Sequence, residues 1–199
     1  MFLWAGITNR MNRNALTAFI GIAILIVIAY YYFQFSVREH FPGENKYRLA
    51  NKYLEDGKYE EALEVFDQAL VINPSHKVIR LGRAIALMEG KRYDESRGEF
   101  DSAIKLDENF AEAYANRGIL NDRTGEFRLA VKDYRRALEL KPDLAKGPGW
   151  LWRFLRNVQK KPPSIADRAD YIEGELKKPE NERLLRIPEV DAQQRMYRP

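Results

Sequence analysis

Residues 111–143, AEAYANRGILNDRTGEFRLAVKDYRRALELKPD, decide the fold, because the pattern of residues 44–74, ENKYRLANKYLEDGKYEEALEVFDQALVINP, returns in them at a fixed distance. Aligned at a period of 34, the segments beginning at Gly43, Lys77 and Ala111 superimpose without a gap. Small residues coincide at Ala50, Ala84 and Gly118, at Ala62, Ser96 and Ala130, and at Ala69, Ala103 and Ala137. Aromatic residues coincide at Tyr59, Tyr93 and Phe127, and at Phe66, Phe100 and Tyr134. Such a period marks a supersecondary unit that buries its apolar face only by stacking on its neighbours. Each unit reads as two antiparallel helices, with small residues at the close crossing and aromatic ones filling the holes between successive pairs. Gly57 and Gly125 mark the turn inside units one and three, Gly90 comes one place early, and Pro74 and Pro142 end units one and three.

These columns resemble the tetratricopeptide repeat family, with units at 43–76, 77–110 and 111–144. Unit two departs from the pattern: Arg80 and Arg83 occupy apolar columns and Glu108 replaces the closing proline, which predicts a rolled first helix or a looser joint. The resemblance implies an all-α, non-enzymatic solenoid whose concave face, lined by the first helix of each unit, grips an extended peptide or a helix of another protein. Carried over position by position, the groove comprises Tyr47, Asn51, Leu54 and Glu55, then Val78, Leu81, Ile85 and Met88, then Ala115, Ile119, Asp122 and Arg123. One subgroup clamps the C-terminal carboxylate of chaperone peptides. Here Tyr47, Gly82 and Glu112 stand where that pattern wants Lys, Asn and Lys, and only Asn51 keeps it. A partner that buries apolar side chains is therefore expected. Leu81, Ile85, Met88 and Ile119 would instead be core if the C-terminal segment folds back over the concave face.

Upstream of the repeats, Ala15 to Phe35 form a run of 21 residues without a charge, between a flank at 1–14 and a linker at 36–42. A helix of that length spans roughly 31 Å, close to the hydrocarbon thickness of a bilayer at about 30 Å. Arg10, Arg13 and Arg38 flank it, and Tyr30, Tyr31, Tyr32, Phe33 and Phe35 cluster at one end. These features predict a single transmembrane helix at 15–35, an inner-membrane location and a periplasmic C-terminal domain. The expected partners are proteins of a membrane complex.

Downstream, Gly147, Pro148 and Gly149 break the chain before WLWRFLRNVQKK at 150–161. Trp150, Leu151, Phe154 and Leu155 make an apolar stripe, which predicts a capping helix over 147–161. Its basic residues Arg153, Arg156, Lys160 and Lys161 offer an alternative reading as a lipid or nucleic-acid surface. Ser164 followed by Asp167 reads as an N-cap that opens helices over 164–186, ahead of an extended tail at 187–199.

Composition narrows the chemistry. The 199 residues include no cysteine and two histidines, His40 and His76, too few ligands for the common zinc sites. Charge sums to +2 over residues 1–42, −2 over 43–145 and +4 over 146–199, so the repeats carry a mixed-charge surface rather than a basic stripe. Phosphate-cradling loops, nucleophile elbows and zinc-protease motifs are absent from the sequence. No catalytic residue, cofactor or metal is expected. The resulting expectation is an anchored protein-interaction scaffold, an accessory or assembly factor or a subunit of a multiprotein membrane complex. The alternative is a permanent structural subunit packing through its spanning helix.

Overall fold

The computed structural model describes residues 13–36, 41–147, 163–188 and 196–197. Residues 148–161 of the expected capping helix, with Trp150 and the basic Arg153, Arg156, Lys160 and Lys161, lie outside the described residues, as does most of the tail. The chain divides into two units, Met1–Phe41 and Pro42–Pro199.

The first unit contains α1 (Arg13–Ser36), a helix of 24 residues. Its side chains are described from Phe19 to Tyr32, where Phe19, Leu25 and Ile26 are exposed and the Tyr30 and Tyr31 rings meet edge to face. Spanning a bilayer takes about 20 consecutive apolar residues. Among the described residues no helix is long and apolar enough to cross a membrane. The expected transmembrane helix at 15–35, the inner-membrane location, the periplasmic domain and the membrane complex as partner are withdrawn on this finding.

The second unit is built from α2 (Glu44–Glu55), α3 (Tyr59–Ile72), α4 (Lys77–Glu89), α5 (Tyr93–Leu106), α6 (Ala111–Thr124), α7 (Phe127–Leu140) and α8 (Ile165–Leu176). Among the described residues there is no strand. Each of these helices packs on the next, and α2, α4 and α6 also touch in sequence, so three helix pairs stack in register.

The repeated small residues sit at the crossings. Ala50, Ala84, Ala62, Ser96 and Ala130 are completely buried beside Phe66, Phe100 and Tyr134. A Cβ added to Gly118 would lie 2.6 Å from the Tyr134 ring, and one at Gly82 would lie 2.6 Å from that of Phe66. Backbone approach, rather than side-chain bulk, therefore defines both contacts. The turns within units one and three reverse through Gly57 and Gly125, at φ of 74° and 88°. In unit two the same column holds Lys91, which takes the left-handed conformation at φ 62° because Gly90 falls one residue early.

Unit two is held by charges at the positions where looseness was expected. Arg83 donates to Asp67 of the preceding unit at 2.6 Å and to Glu99 of its own at 3.1 Å, while Arg80 adds bonds to Glu99 and the Pro74 carbonyl. One period later Arg117 repeats the arrangement, donating to Asp101 at 2.7 Å and forking onto both oxygens of Asp133 at 2.7 and 2.8 Å. The two arginines form successive rungs of a ladder joining consecutive units. At the joint after unit two, Asp107 takes over the role of proline: its carboxylate accepts from Lys77 and from the Asn109 N–H. Those bonds, with Lys77 the larger influence, hold the Asp107 carboxyl below its ordinary pKa.

Candidate functional site

The groove columns divide by burial. Tyr47, Asn51 and Arg123 are half-buried, whereas Leu54, Leu81, Ile85, Met88, Ala115, Ile119 and Asp122 are buried. Asn51 Nδ2 donates to the Tyr47 carbonyl one turn back at 3.1 Å, and the Tyr47 ring tilts onto Phe66 across 6.2 Å. Arg123 reaches Glu89 at 2.9 Å and thereby joins the inner ends of α4 and α6.

The third unit's concave face is covered by the C-terminal segment. The covering begins at Ser164, whose Oγ accepts from the Asp167 N–H while the Asp167 carboxylate accepts from the Ser164 N–H at 2.8 Å. This capping box fixes the start of α8. From there Ile165, Arg168, Ala169 and Ile172 recur at helical spacing and are buried, so an arginine lies inside an apolar stripe. Its counterpart is Asp122: Arg168 Nε and Nη2 donate to the two carboxylate oxygens at 2.7 and 2.8 Å, and Tyr134 Oη donates to Oδ2 at 3.2 Å. Both members of the pair are about 3% exposed. Burial, and next the Asp122 charge, push the Tyr134 hydroxyl well above its ordinary pKa, so it stays a donor.

Beyond α8 a 3-10 turn at Glu180–Glu182 redirects the chain. The strap that follows is tied through its main chain. Glu175 accepts from the Leu184 N–H at 2.7 Å, Tyr171 donates to the Leu184 carbonyl, and Arg168 Nη2 donates to the Leu185 carbonyl at 2.9 Å. Arg186 donates to the Arg123 carbonyl at 3.2 Å and lies over the Phe127 ring. The bonds from Leu184, first, and Lys178 hold the Glu175 carboxyl below its usual range.

Farther along the tail, Tyr197 meets α6 at Asn116. The Tyr197 N–H donates to Asn116 Oδ1 at 2.9 Å, and Asn116 Nδ2 donates back to the Tyr197 carbonyl at 2.6 Å and to the Glu112 carbonyl at 2.8 Å. Tyr197 helps close a small hollow lined by Ile119, Tyr134, Ile165 and Arg168. One turn before Asn116, the buried Glu112 accepts from Lys141 at 2.5 Å.

The sequence-derived set and this site overlap at Ile119, Asp122 and Arg123. Asn116, Lys141, Arg168 and Tyr197 were not anticipated. Arg168 alone carried a signal, a cation within an apolar stripe, which implies a buried anion elsewhere. Among the described residues no group of histidine, aspartate and glutamate side chains is arranged to hold a metal.

Tetratricopeptide repeats match over residues 53–116 and again over residues 111–144. Residues 53–144 thus carry tetratricopeptide repeats. Human RNA polymerase II-associated protein 3 is 28% identical over 144 residues, which cover 72% of this chain and 21% of that one. Rat serine/threonine-protein phosphatase 5 is 32% identical over 94 residues, 47% of this chain and 19% of that one. This repeat protein thus spans about a fifth of the length of the curated relatives it matches. Among solved structures, the first repeat domain of human RPAP3 superimposes with a TM-score of 0.50 at 24% identity, covering 66% of this chain and 95% of that one. The Naa15/Naa10 complex bound to HypK-THB superimposes at 0.53 and 21% identity, covering 68% and 18%. The first repeat domain of Spaghetti, solved with the HSP90 peptide SRMEEVD, is 26% identical at a TM-score of 0.49, covering 59% and 90%.

Proposed function

We propose that this repeat protein is a protein-interaction scaffold that receives an extended segment of a partner along α2, α4 and α6, as an accessory or assembly factor or a subunit of a multiprotein complex. The observation that carries the reading is Asn116, whose side-chain amide pairs with both polar groups of one residue's main chain. That is the bond pattern by which an extended segment is held without regard to its side chains. Half-buried Tyr47 and Asn51 continue the same face into unit one. The partner presents apolar side chains alternating along an extended stretch, since Glu112 stands where a basic clamp residue would be needed for an acidic chain end. No enzymatic role is proposed.

Fluorescence polarisation of the full chain tests this with two labelled probes: an extended peptide bearing alternating apolar side chains, and the acidic peptide SRMEEVD. Saturable binding of the first, weakened at least fivefold by Asn51→Ala and by Tyr47→Ala, is expected. Preference for SRMEEVD would reassign the partner to acidic chain ends, and no binding of either would end the reading.

A further inference from the structure

The pairing of Asn116 with Tyr197 is what the scaffold function requires of a foreign peptide, yet the segment that makes it belongs to the same chain. Asn116 is completely buried. Its Oδ1 and Nδ2 both spend bonds on Tyr197, at 2.9 and 2.6 Å. With the tail absent, those groups need another extended segment or water, because buried polar groups left unpaired are costly.

The attachment of the C-terminal segment is graded along its length. Around Asp122 the buried Arg168 fork and the bonds to Leu184, Leu185 and Arg186 engage several side chains. At Tyr197 the main-chain pairing is with the neutral amide of Asn116. The first attachment is part of the fold, whereas the second involves an exchangeable amide pair. Because Arg186 is held eleven residues upstream, tethering keeps the local concentration of Tyr197 near Asn116 at about the millimolar range. That is enough to exclude weak peptides and too little to exclude tight ones.

We propose that the tail around Tyr197 is the resident occupant of the third unit's groove, a competitor built into the chain that a partner's extended segment must displace from Asn116. The proposal rests on the scaffold reading given above and adds its regulation. Affinity for a partner is lowered by the fraction of molecules whose tail is docked, and any event that frees the tail raises it.

The test uses the full chain and a fluorescein-labelled peptide of its own residues 188–199, PEVDAQQRMYRP. Tyr197→Pro removes the N–H that Asn116 accepts and leaves the groove untouched. The labelled peptide should bind this variant at least tenfold more tightly than it binds wild type. Adding Asn116→Ala to Tyr197→Pro should abolish the gain, with circular dichroism confirming that the double variant is folded. Independently of any variant, the Tyr197 amide of wild type should be protected from hydrogen exchange and should lose protection when unlabelled peptide is added in excess. Equal affinity for wild type and Tyr197→Pro, or an unprotected Tyr197 amide in wild type, would overturn the proposal. The apolar probe of the preceding section separates the two readings. If it binds wild type and Tyr197→Pro alike, the scaffold stands and the built-in competitor falls. If only the tail peptide binds, the tail's docking on Asn116 stands as a self-contact, and the scaffold falls together with competition against a partner.

Discussion

The two ends of the solenoid carry the same kind of helix pair and treat their inner faces differently. In unit one, Tyr47 and Asn51 remain half-buried, and the Asn51 amide turns back onto its own helix. In unit three, Asn116 and Asp122 are buried, and each is engaged by a residue from beyond the repeats. Asn116 also bonds back one turn along its helix, so the difference lies in what covers the face rather than in the helix itself. An identical backbone can be an open groove or part of a core, depending on chain from outside the repeat.

Removing the cover is expected to have the largest effect. Arg168→Ala strands the Asp122 carboxylate beneath α8 with the Tyr134 hydroxyl, and should cost about 3–5 kcal/mol in urea denaturation, against about 0.5 kcal/mol or less for Asn51→Ala at the open end. Asp122→Ala added to Arg168→Ala should cost less than the sum of the singles; additive losses would show that the pair is not coupled.

A smaller contrast separates the rungs of the ladder. Arg117→Ala removes the fork from Asp133, which is 4% exposed and keeps Asn121 as a donor, and should cost about 2 kcal/mol. Arg83→Ala, whose corresponding partner Glu99 is 18% exposed and keeps Arg80 as a donor, should cost about 1 kcal/mol. Equal losses by chemical denaturation would mean that burial does not grade the rungs.

Acid provides a milder probe of the covered end. Glu173, held down chiefly by the Arg135 guanidinium, and Glu175, held down chiefly by the Leu184 N–H, both have lowered pKa values in the folded chain. Their stabilisation is fully present above the unfolded value near 4.3 and is lost as pH falls through the lower folded values. Thermal midpoints should therefore hold between about pH 7 and 5 and decline below about pH 4, and Glu175→Gln should flatten that decline.

The smallest expected change lies between the ends. Lys91→Gly relieves the left-handed backbone that Gly57 and Gly125 adopt freely, and should stabilise by about 0.5–1 kcal/mol in thermal unfolding. A loss would mean that the lysine side chain offsets its own strain.

Periodic contacts were legible in the sequence and aperiodic ones were not. The alanines at 50, 62, 69 and 84 and the aromatics at 66, 100 and 134 announced the helix pairs because a stacked unit repeats its packing problem every 34 residues. The capping box at Ser164 marked the beginning of α8 from local chemistry alone. The docking of α8 on α6 joins residues 46 apart, and that of Tyr197 on Asn116 joins residues 81 apart. Each occurs once, so no repetition reveals it. Arg80 and Arg83 misled for a related reason: they break the family's apolar columns, but their anions, Glu99 and Asp67, lie on neighbouring helices where a column-by-column reading does not look. The charge-free run at 15–35 suggested a membrane span, a placement that the described part of α1 does not carry.

The ladder of arginines also makes the array extensible. Because Arg83 and Arg117 each reach one unit back and one helix forward at identical sequence offsets, the contact is a rule of grammar rather than a single fitted joint. A duplicate of residues 77–110 spliced in after Phe110 would bring its own arginine, find an aspartate waiting at Asp101, and offer the same aspartate to Arg117. Lengthening the protein by whole units would thus preserve every rung, while an insertion of any other length would put each arginine opposite the wrong residue.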